Sequence, residues 1–411
     1  MALAAPLSLG NVSRQEFLRD YWHQRPLLIR NAFASFDCPV DKAALIALAR
    51  SSQVESRVVS EKGRPAFSLK RGPFSAAFFR KMPKTHWTLL VQDVDKHLPR
   101  VADLLEAFTF LPRWRIDDIM ISYAVAGGSV GPHYDNYDVF LLQGQGQRRW
   151  QIGARPKKPR LLPGTELHVL ENFHPEEEIV AEVGDILYLP PSIAHHGVAI
   201  GESITLSIGF RAPSQRELCF AFVEELLENA SDSKRYADPK LRVQRHLGLI
   251  DAAALKQVKQ LVEGGLRPAP QQLERWFARF MTEPKPHLAR SRTGAEVSAS
   301  TLRDAANKNR IVKHALGSRW AFIVDAKGVA ARAKVHLFVE GHEWIAPVSL
   351  TPQIAALCDS PQVSLAECGA LLSNADGLKV IEDLFALGLL KWGAEKTFIK
   401  KNPQTKRRRK R

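Results

Sequence analysis

Between Arg115 and Phe210 the sequence forms one short strand after another, with no helical period between them. Residues 115–125 carry apolar side chains at Ile119, Ile121, Tyr123 and Val125, while Asp118, Met120 and Ser122 fall on the opposite face. Successive side chains on a strand point to opposite sides. Val139–Leu142, Arg148–Ile152 and Gly184–Pro190 follow, and Ser203–Phe210 alternates strictly. So many strands without intervening helices point to a β-barrel or jelly roll. In such a fold the Asp118 face becomes the lining of a polar cavity.

The chemistry sits in the same stretch. In Gly131-Pro132-His133-Tyr134-Asp135 the imidazole and the carboxylate are two residues apart. On an extended segment they project to one side. A third ligand is available after the prolines of Leu189-Pro190-Pro191, where His195 and His196 stand side by side. Pattern alone does not choose between them. Two His and one carboxylate with open positions left over is the donor set of non-haem Fe(II) oxygenases. A rival, His174-Pro175-Glu176, runs into Glu177-Glu178 and reads as an exposed loop. Gln143 to Gln147 reads as a hairpin turn, and residues 154–180 as a long excursion between strands. Arg148 shares its face with Trp150 and Ile152. A cation on an apolar face needs an anion, either a structural ion pair or the carboxylate of a cosubstrate.

A chain of 411 residues exceeds one ordinary core, so two or three domains are expected. It has no apolar run long enough to span a membrane, and Met1–Gly10 lacks the basic start of a secretion signal. Cys38, Cys219, Cys358 and Cys368 are scattered, which suits reduced thiols and a cytoplasmic setting. The net charge is +15, but Lys396 to Arg411 holds nine basic residues and no acid, which leaves 15 − 9 = 6 elsewhere. That tail is either a solubilising end or a weak, salt-sensitive contact with RNA. Ser13-Arg14-Gln15-Glu16 and Ser214-Gln215-Arg216-Glu217 are capping boxes. Helices are expected over Leu98–Phe108, around Leu218–Leu226 and Leu255–Val262, and along the stripe Leu273, Trp276, Phe277, Phe280, Met281. That stripe packs either within its own domain or against a second copy. Glu283-Pro284-Lys285-Pro286 opens a linker that runs on to Gly294. Beyond it, a helix over Thr301–Ala315, a hairpin over Val335–Ile345 and a helix over Gly377–Ala386 suggest a winged-helix arrangement.

Taken together, the His133-x-Asp135 run, Arg148-Arg149-Trp150, Gly184–Pro191 and His195 resemble the jumonji-C-type 2-oxoglutarate oxygenases of the cupin superfamily. More closely, the chain resembles the bacterial ribosomal oxygenases. The resemblance implies an α+β chain. A double-stranded β-helix catalytic domain would span 1–212, a helical dimerisation segment 213–284, a winged-helix-like domain 295–395 and the basic tail 396–411. It implies Fe(II) held by His133, Asp135 and His195, with 2-oxoglutarate and molecular oxygen consumed as substrate is hydroxylated. It implies Arg148 as the partner of the distal 2-oxoglutarate carboxylate, with Ser122 and Met120 nearby, and Asp118 and Tyr137 at the substrate. That substrate would be an arginine of large-subunit ribosomal protein number sixteen, hydroxylated at a side-chain carbon by a cytoplasmic homodimer. A ribosomal histidine or a methyl-lysine is the alternative target, and a non-enzymatic ribosome-binding cupin the alternative role.

Overall fold

A computed structural model describes residues 7–33, 35–62, 66–228, 230–239, 241–288, 293–325 and 333–393. The basic tail lies outside the described residues. The chain divides into two compact units. The first is Met1–Ala289 with Leu316–Ala321 and Phe338–His342, and the second comprises Arg290–Ala315, Phe322–Leu337 and Glu343–Arg411.

Among the described residues up to Phe210, the first unit contains eleven strands: β1 (Leu27–Ile29), β2 (Ser56–Lys62), β3 (Ala66–Arg71), β4 (Trp87–Val91), β5 (Ile116–Ala124), β6 (Val139–Gln145), β7 (Arg148–Gly153), β8 (Pro175–Ala181), β9 (Ile186–Leu189), β10 (His195–Ala199) and β11 (Ser203–Phe210). Eight of them form one sheet in the order β1-β9-β6-β11-β5-β4-β2-β3, and three form a second in the order β10-β7-β8. Helices α1 (Arg14–Asp20), α2 (Lys42–Ala49), α3 (Ala76–Arg80) and α4 (Pro99–Ala102) precede β5, and α5 (Gln215–Glu228), α6 (Ala252–Gly265) and α7 (Gln272–Thr282) follow β11.

Strand alternation divides the large sheet into two faces. Ile119, Ile121 and Tyr123 of β5, Phe140 and Leu142 of β6, Tyr188 of β9 and Leu206 and Ile208 of β11 enter the main core, where Phe17 of α1 is fully buried. The Phe17 ring meets Tyr188 at 4.9 Å and Phe140 at 5.6 Å between centroids. Such aromatic packing adds about 0.5–1.5 kcal/mol per pair to the area buried. The other face presents Val139, Leu141, Leu187 and Leu189 to Trp150, Ile152 and Ala181 of the small sheet, a second core that seals the space between the sheets.

Three connections differ from the expectations. Gln143–Gln147 is not a hairpin turn, because β6 and β7 belong to different sheets and do not pair. The chain passes between sheets there, and Gly146 takes φ +65 where a Cβ would lie 2.1 Å from the Glu202 carbonyl. The run from His174 is not a loop either. Pro175–Ala181 is an edge strand paired antiparallel with β7. Its acids are exposed, and Glu178 accepts from Gln151 at 3.0 Å and lies 3.5 Å from Arg149. An edge strand tolerates proline at its first position. Thirdly, Leu98–Phe108 winds as α4 and then tightens into a 3-10 turn over Asp103–Phe108.

The helical stretch after β11 starts with a full capping box: Ser214 N–H donates to Glu217 at 2.6 Å and Glu217 N–H to Ser214 Oγ at 3.2 Å. On α7 the aromatic stripe is mostly internal. Trp276 and Met281 are buried, Trp276 meets Phe222 at 4.9 Å, and Phe277 meets Trp114 at 6.0 Å. By contrast α6 buries no side chain among the described residues, and Leu255, Val258 and Val262 stand exposed on it.

In the second unit lie α8 (Ala299–Asn307), β12 (Ile311–His314), α9 (Thr351–Asp359), β16 (Gln362–Ser364), α10 (Gly369–Ser373), α11 (Ala375–Ala386) and β17 (Leu390–Trp392). The sheet order is β16-β12-β17. The expected helix Thr301–Ala315 stops at Asn307, because Asn309 turns to φ +50 and the β-branched pair Ile311-Val312 joins the sheet. The hairpin strands are β14 (Lys334–Val339) and β15 (His342–Pro347), in one sheet with β13 (Trp320–Val324). No described helix is long and apolar enough to cross a membrane.

Candidate active site

His133 and His195 come from distant parts of the chain and meet as a backbone pair. His133 N–H donates to His195 O at 3.0 Å, and His195 N–H donates to His133 O at 2.8 Å. Ser192 N–H donates to Asp135 O at 2.7 Å, tying the third residue to the same turn. One ligand atom from each of His133, Asp135 and His195 lies within 4.8 Å of the others, and His195 Nε2 is 3.8 Å from Asp135 Oδ2. Each ring has its Nδ1 against the carbonyl two residues back, Gly131 O at 2.9 Å for His133 and Ile193 O at 3.0 Å for His195. A proton held on Nδ1 leaves the Nε2 lone pair free for a metal. Burial, and then the neighbouring His133, push His195 down to about 4, so it is a neutral imidazole at physiological pH. His196, one residue on, projects to the other face of β10 and lies 3.3 Å from Gln151 Oε1. Two imidazoles and one carboxylate on a common point fit Fe(II).

The donor set opens into a cavity of about 480 Å³. Arg148 lies inside it, only 4% exposed, with its guanidinium 5.6 Å from the Trp150 ring centroid. Its Nε and one terminal nitrogen have no hydrogen-bond partner among the described residues. Burial alone pushes its pKa down to about 10, which leaves it charged at neutral pH. A buried cation without a counter-ion carries a penalty of several kcal/mol. An anion within reach of Arg148 would offset that penalty. Hydroxyls frame the same space: Thr205 pairs with Ser122 and Ser207 with Met120 across β11 and β5.

Asp118 and Tyr137 line the cavity too. Asp118 Oδ2 accepts from Gln92 Nε2 at 2.6 Å and from Asp93 N–H at 3.1 Å, and Lys285 Nζ is 3.5 Å away. Burial pushes Asp118 up to about 6, with Lys285 pulling the other way. Burial and the hydrogen bond to Asp135 keep the Tyr137 phenol protonated.

The family model described as the JmjC domain matches residues 103–218, a span that holds His133, Asp135, His195, Arg148, Asp118 and Tyr137. The ROXA-like winged helix matches residues 257–391. The ribosomal protein uL16 3-hydroxylase of Escherichia coli is 34% identical over 273 residues, covering 66% of this chain and 72% of that protein. The chain belongs to the ribosomal oxygenase family. A probable ribosomal oxygenase of Haemophilus influenzae is 36% identical over 237 residues, covering 57% of this chain and 56% of that one. The solved structure of E. coli ycfD superposes with a TM-score of 0.79 at 28% identity, covering 95% of this chain and 100% of that one. Another structure of the same E. coli ribosomal oxygenase, in complex with cobalt and 2-oxoglutarate, gives 0.76 at 28% identity over 95% and 99% of the two chains.

For this ribosomal oxygenase, His133, Asp135, His195, Arg148, Ser122, Met120, Asp118 and Tyr137 all face one cavity. Sequence reasoning passed over Thr205 and Ser207. The signal was available, because Ser203, Thr205 and Ser207 form the polar face of a strand whose other face is Ile204, Leu206 and Ile208. It also passed over Gln92 and Lys285, whose places depend on loops. Gly131 sets the approach to His133: it has φ +82, and a Cβ there would lie 2.9 Å from both Val169 methyls and 3.1 Å from Phe67. Gly131→Ala is expected to lower stability by about 1–3 kcal/mol, read from the urea midpoint at unchanged slope.

Proposed function

We propose that this ribosomal oxygenase is an Fe(II)- and 2-oxoglutarate-dependent hydroxylase of an arginine side chain in ribosomal protein uL16. One observation carries the reading: a buried guanidinium with no ion pair among the described residues shares a cavity with a two-His, one-carboxylate cluster. His133, Asp135 and His195 would hold the metal. When bound, iron with 2-oxoglutarate and oxygen supplies the oxidation, one oxygen atom leaving in succinate as carbon dioxide is lost and the other entering a substrate C–H bond.

The protein's own part is placement and exclusion of water. Arg148 takes the distal carboxylate of 2-oxoglutarate through its planar fork, which a lysine would not match. Ser122 and Thr205 offer hydroxyls beside it, and Met120, Leu141 and Trp150 keep that end apolar. Desolvation strengthens the Arg148 contact and fixes the cosubstrate's orientation. At the mouth, Asp118 receives the substrate guanidinium and Tyr137 offers an aromatic face. The activity of the named E. coli relatives, a uL16 3-hydroxylase and a ribosomal oxygenase, supports this choice of substrate. Acting on a ribosomal protein puts the enzyme in the bacterial cytoplasm.

The exposed apolar residues Leu255, Val258 and Val262 of α6, with Leu247, Leu249 and Ile250 before it, form a surface that we assign to a second copy of the chain. An apolar face of this kind is rarely left open on a soluble monomer.

Three results test this. Incubation with Fe(II), 2-oxoglutarate and a uL16 peptide should add one oxygen atom to an arginine, seen by tandem mass spectrometry. His195→Ala should abolish the gain while His196→Ala keeps a substantial part. Oxygen appearing on a histidine, or a loss of methyl groups from lysine, would redirect the assignment. Arg148→Ala should raise the apparent 2-oxoglutarate requirement at least about tenfold, and an unchanged requirement would return Arg148 to a structural role. Light scattering at micromolar concentration should report a dimer, and the pair Val258→Glu and Val262→Glu should convert it to a monomer.

A further inference from the structure

By composition, Glu283-Pro284-Lys285-Pro286 opens a linker. The structure instead directs Lys285 into the wall behind the substrate end of the cavity. Its ammonium lies 2.9 Å from Asp93 Oδ1, 3.2 Å from Asp117 Oδ2 and 3.5 Å from Asp118 Oδ2. A proline on each side restricts the backbone that carries it. The short 3-10 turn Pro286–Leu288 then brings His287 Nε2 to 3.0 Å from Asp93 Oδ2. Asp93 itself takes a left-handed conformation, φ +55, which its backbone bond to Asp118 and its contacts with Lys285 and His287 hold in place.

The two oxygens of Asp118 have different surroundings. Oδ2 faces backwards and takes Gln92, Asp93 N–H and Lys285. Oδ1 has no hydrogen bond among the described residues. It lies 3.6 Å from the point a Cβ on Gly209 would occupy, and the Tyr137 ring edge lies 3.7 Å from that same point. Gly209 and Tyr137 both line the cavity, so Oδ1 is the oxygen presented to a ligand.

The charges behind it are of both signs. Lys285 and Arg319, the latter 2.6 Å from Asp117 Oδ1, face Asp93, Asp117 and Asp118. Asp95 pairs with Lys96, and Arg211, which lines the same cavity, interacts with Asp117 and Arg319. Among the described residues, Lys285 is the cation that forms an ion pair with Asp118 itself, and it does so at Oδ2, the oxygen turned away from the cavity.

We propose that Lys285 is a positioning residue for the substrate cation, holding the Asp118 carboxylate in its ionised form with Oδ1 facing the cavity. The proposal rests on the assignment of Asp118 as the guanidinium receptor. Without Lys285, Asp118 would face Asp93, Asp117 and Asp95 without the cation that pairs with it directly. Burial already pushes Asp118 up to about 6, and loss of Lys285 raises it further. The protonated acid no longer pairs with a guanidinium as a charge.

The test uses full-length enzyme with Fe(II), 2-oxoglutarate and the uL16 arginine peptide, and compares K285Q, K285R, D118N and K285Q/D118N. K285M keeps the apolar stem and replaces K285Q should the latter not fold. K285Q should raise the KM for peptide about tenfold with kcat within about twofold of wild type. K285R should restore KM to within about twofold. The K285Q deficit should shrink as pH rises from mildly acidic to mildly alkaline, because Asp118 ionises again. The double variant should be no worse than D118N, since both act on one contact. An unchanged KM in K285Q, with D118N impaired, overturns the role of Lys285. A lowered KM in K285Q also overturns it, by showing that Lys285 competes with the substrate. An unchanged KM in D118N overturns the receptor assignment itself, and so separates the two failures.

Discussion

The two-bond backbone pair between His133 and His195 is the constraint on which the site depends. It joins a loop between two strands of the large sheet to the first strand of the small one. The imidazoles need no adjustable side-chain contacts to find each other, because their main chains are already paired and their rings lie 4.4 Å apart between centroids. The apolar contact between the sheets, from Leu141 and Leu189 to Trp150 and Ile152, supports that pair by keeping water out and the spacing constant. Ordered backbone under a metal site is what holds ligands to the tight geometry catalysis needs.

From that point the cavity carries charges of both signs. The buried Arg148 guanidinium lines it beside Trp150, and so does the Asp118 carboxylate, held from behind by Gln92, Asp93 N–H and Lys285. Buried charges are costly in isolation. On the proposed reading, an anionic cosubstrate would meet the first and a cationic substrate the second.

Much of this was legible from residues 115–210. Period-two alternation separated the cavity face of β5 from its core face, and the burial of Asp118 and Ser122 against Ile119 and Ile121 follows that division. The same alternation isolated Arg148. Connections were harder. A glycine-rich segment such as Gln143–Gln147 reads locally as a hairpin, yet whether the flanking strands pair with each other or join different sheets is decided by partners far away in sequence. Glu176-Glu177-Glu178 likewise resembles a loop until Arg149 and Gln151 are seen opposite it. The α7 stripe shows the limit of periodicity: spacing establishes an apolar face, and only the contacts to Phe222 and Trp114 tell what that face meets.

The sequence by itself determined the strand-rich catalytic region, the donor types His133 and Asp135, the isolation of Arg148 on an apolar face and the helical stretch after Pro213, because each is written in a short local period. The tertiary structure decided which imidazole turns inward, which strands share a sheet and where Lys285 goes. His195 and His196 are equivalent as letters, and the register of β10 against β7 turns one to the cavity and the other to Gln151. Lys285 lies in what reads as a linker, and it gains meaning only when Asp93, Asp117 and Asp118 are folded around it. Those are long-range electrostatic relations, and no local pattern encodes them.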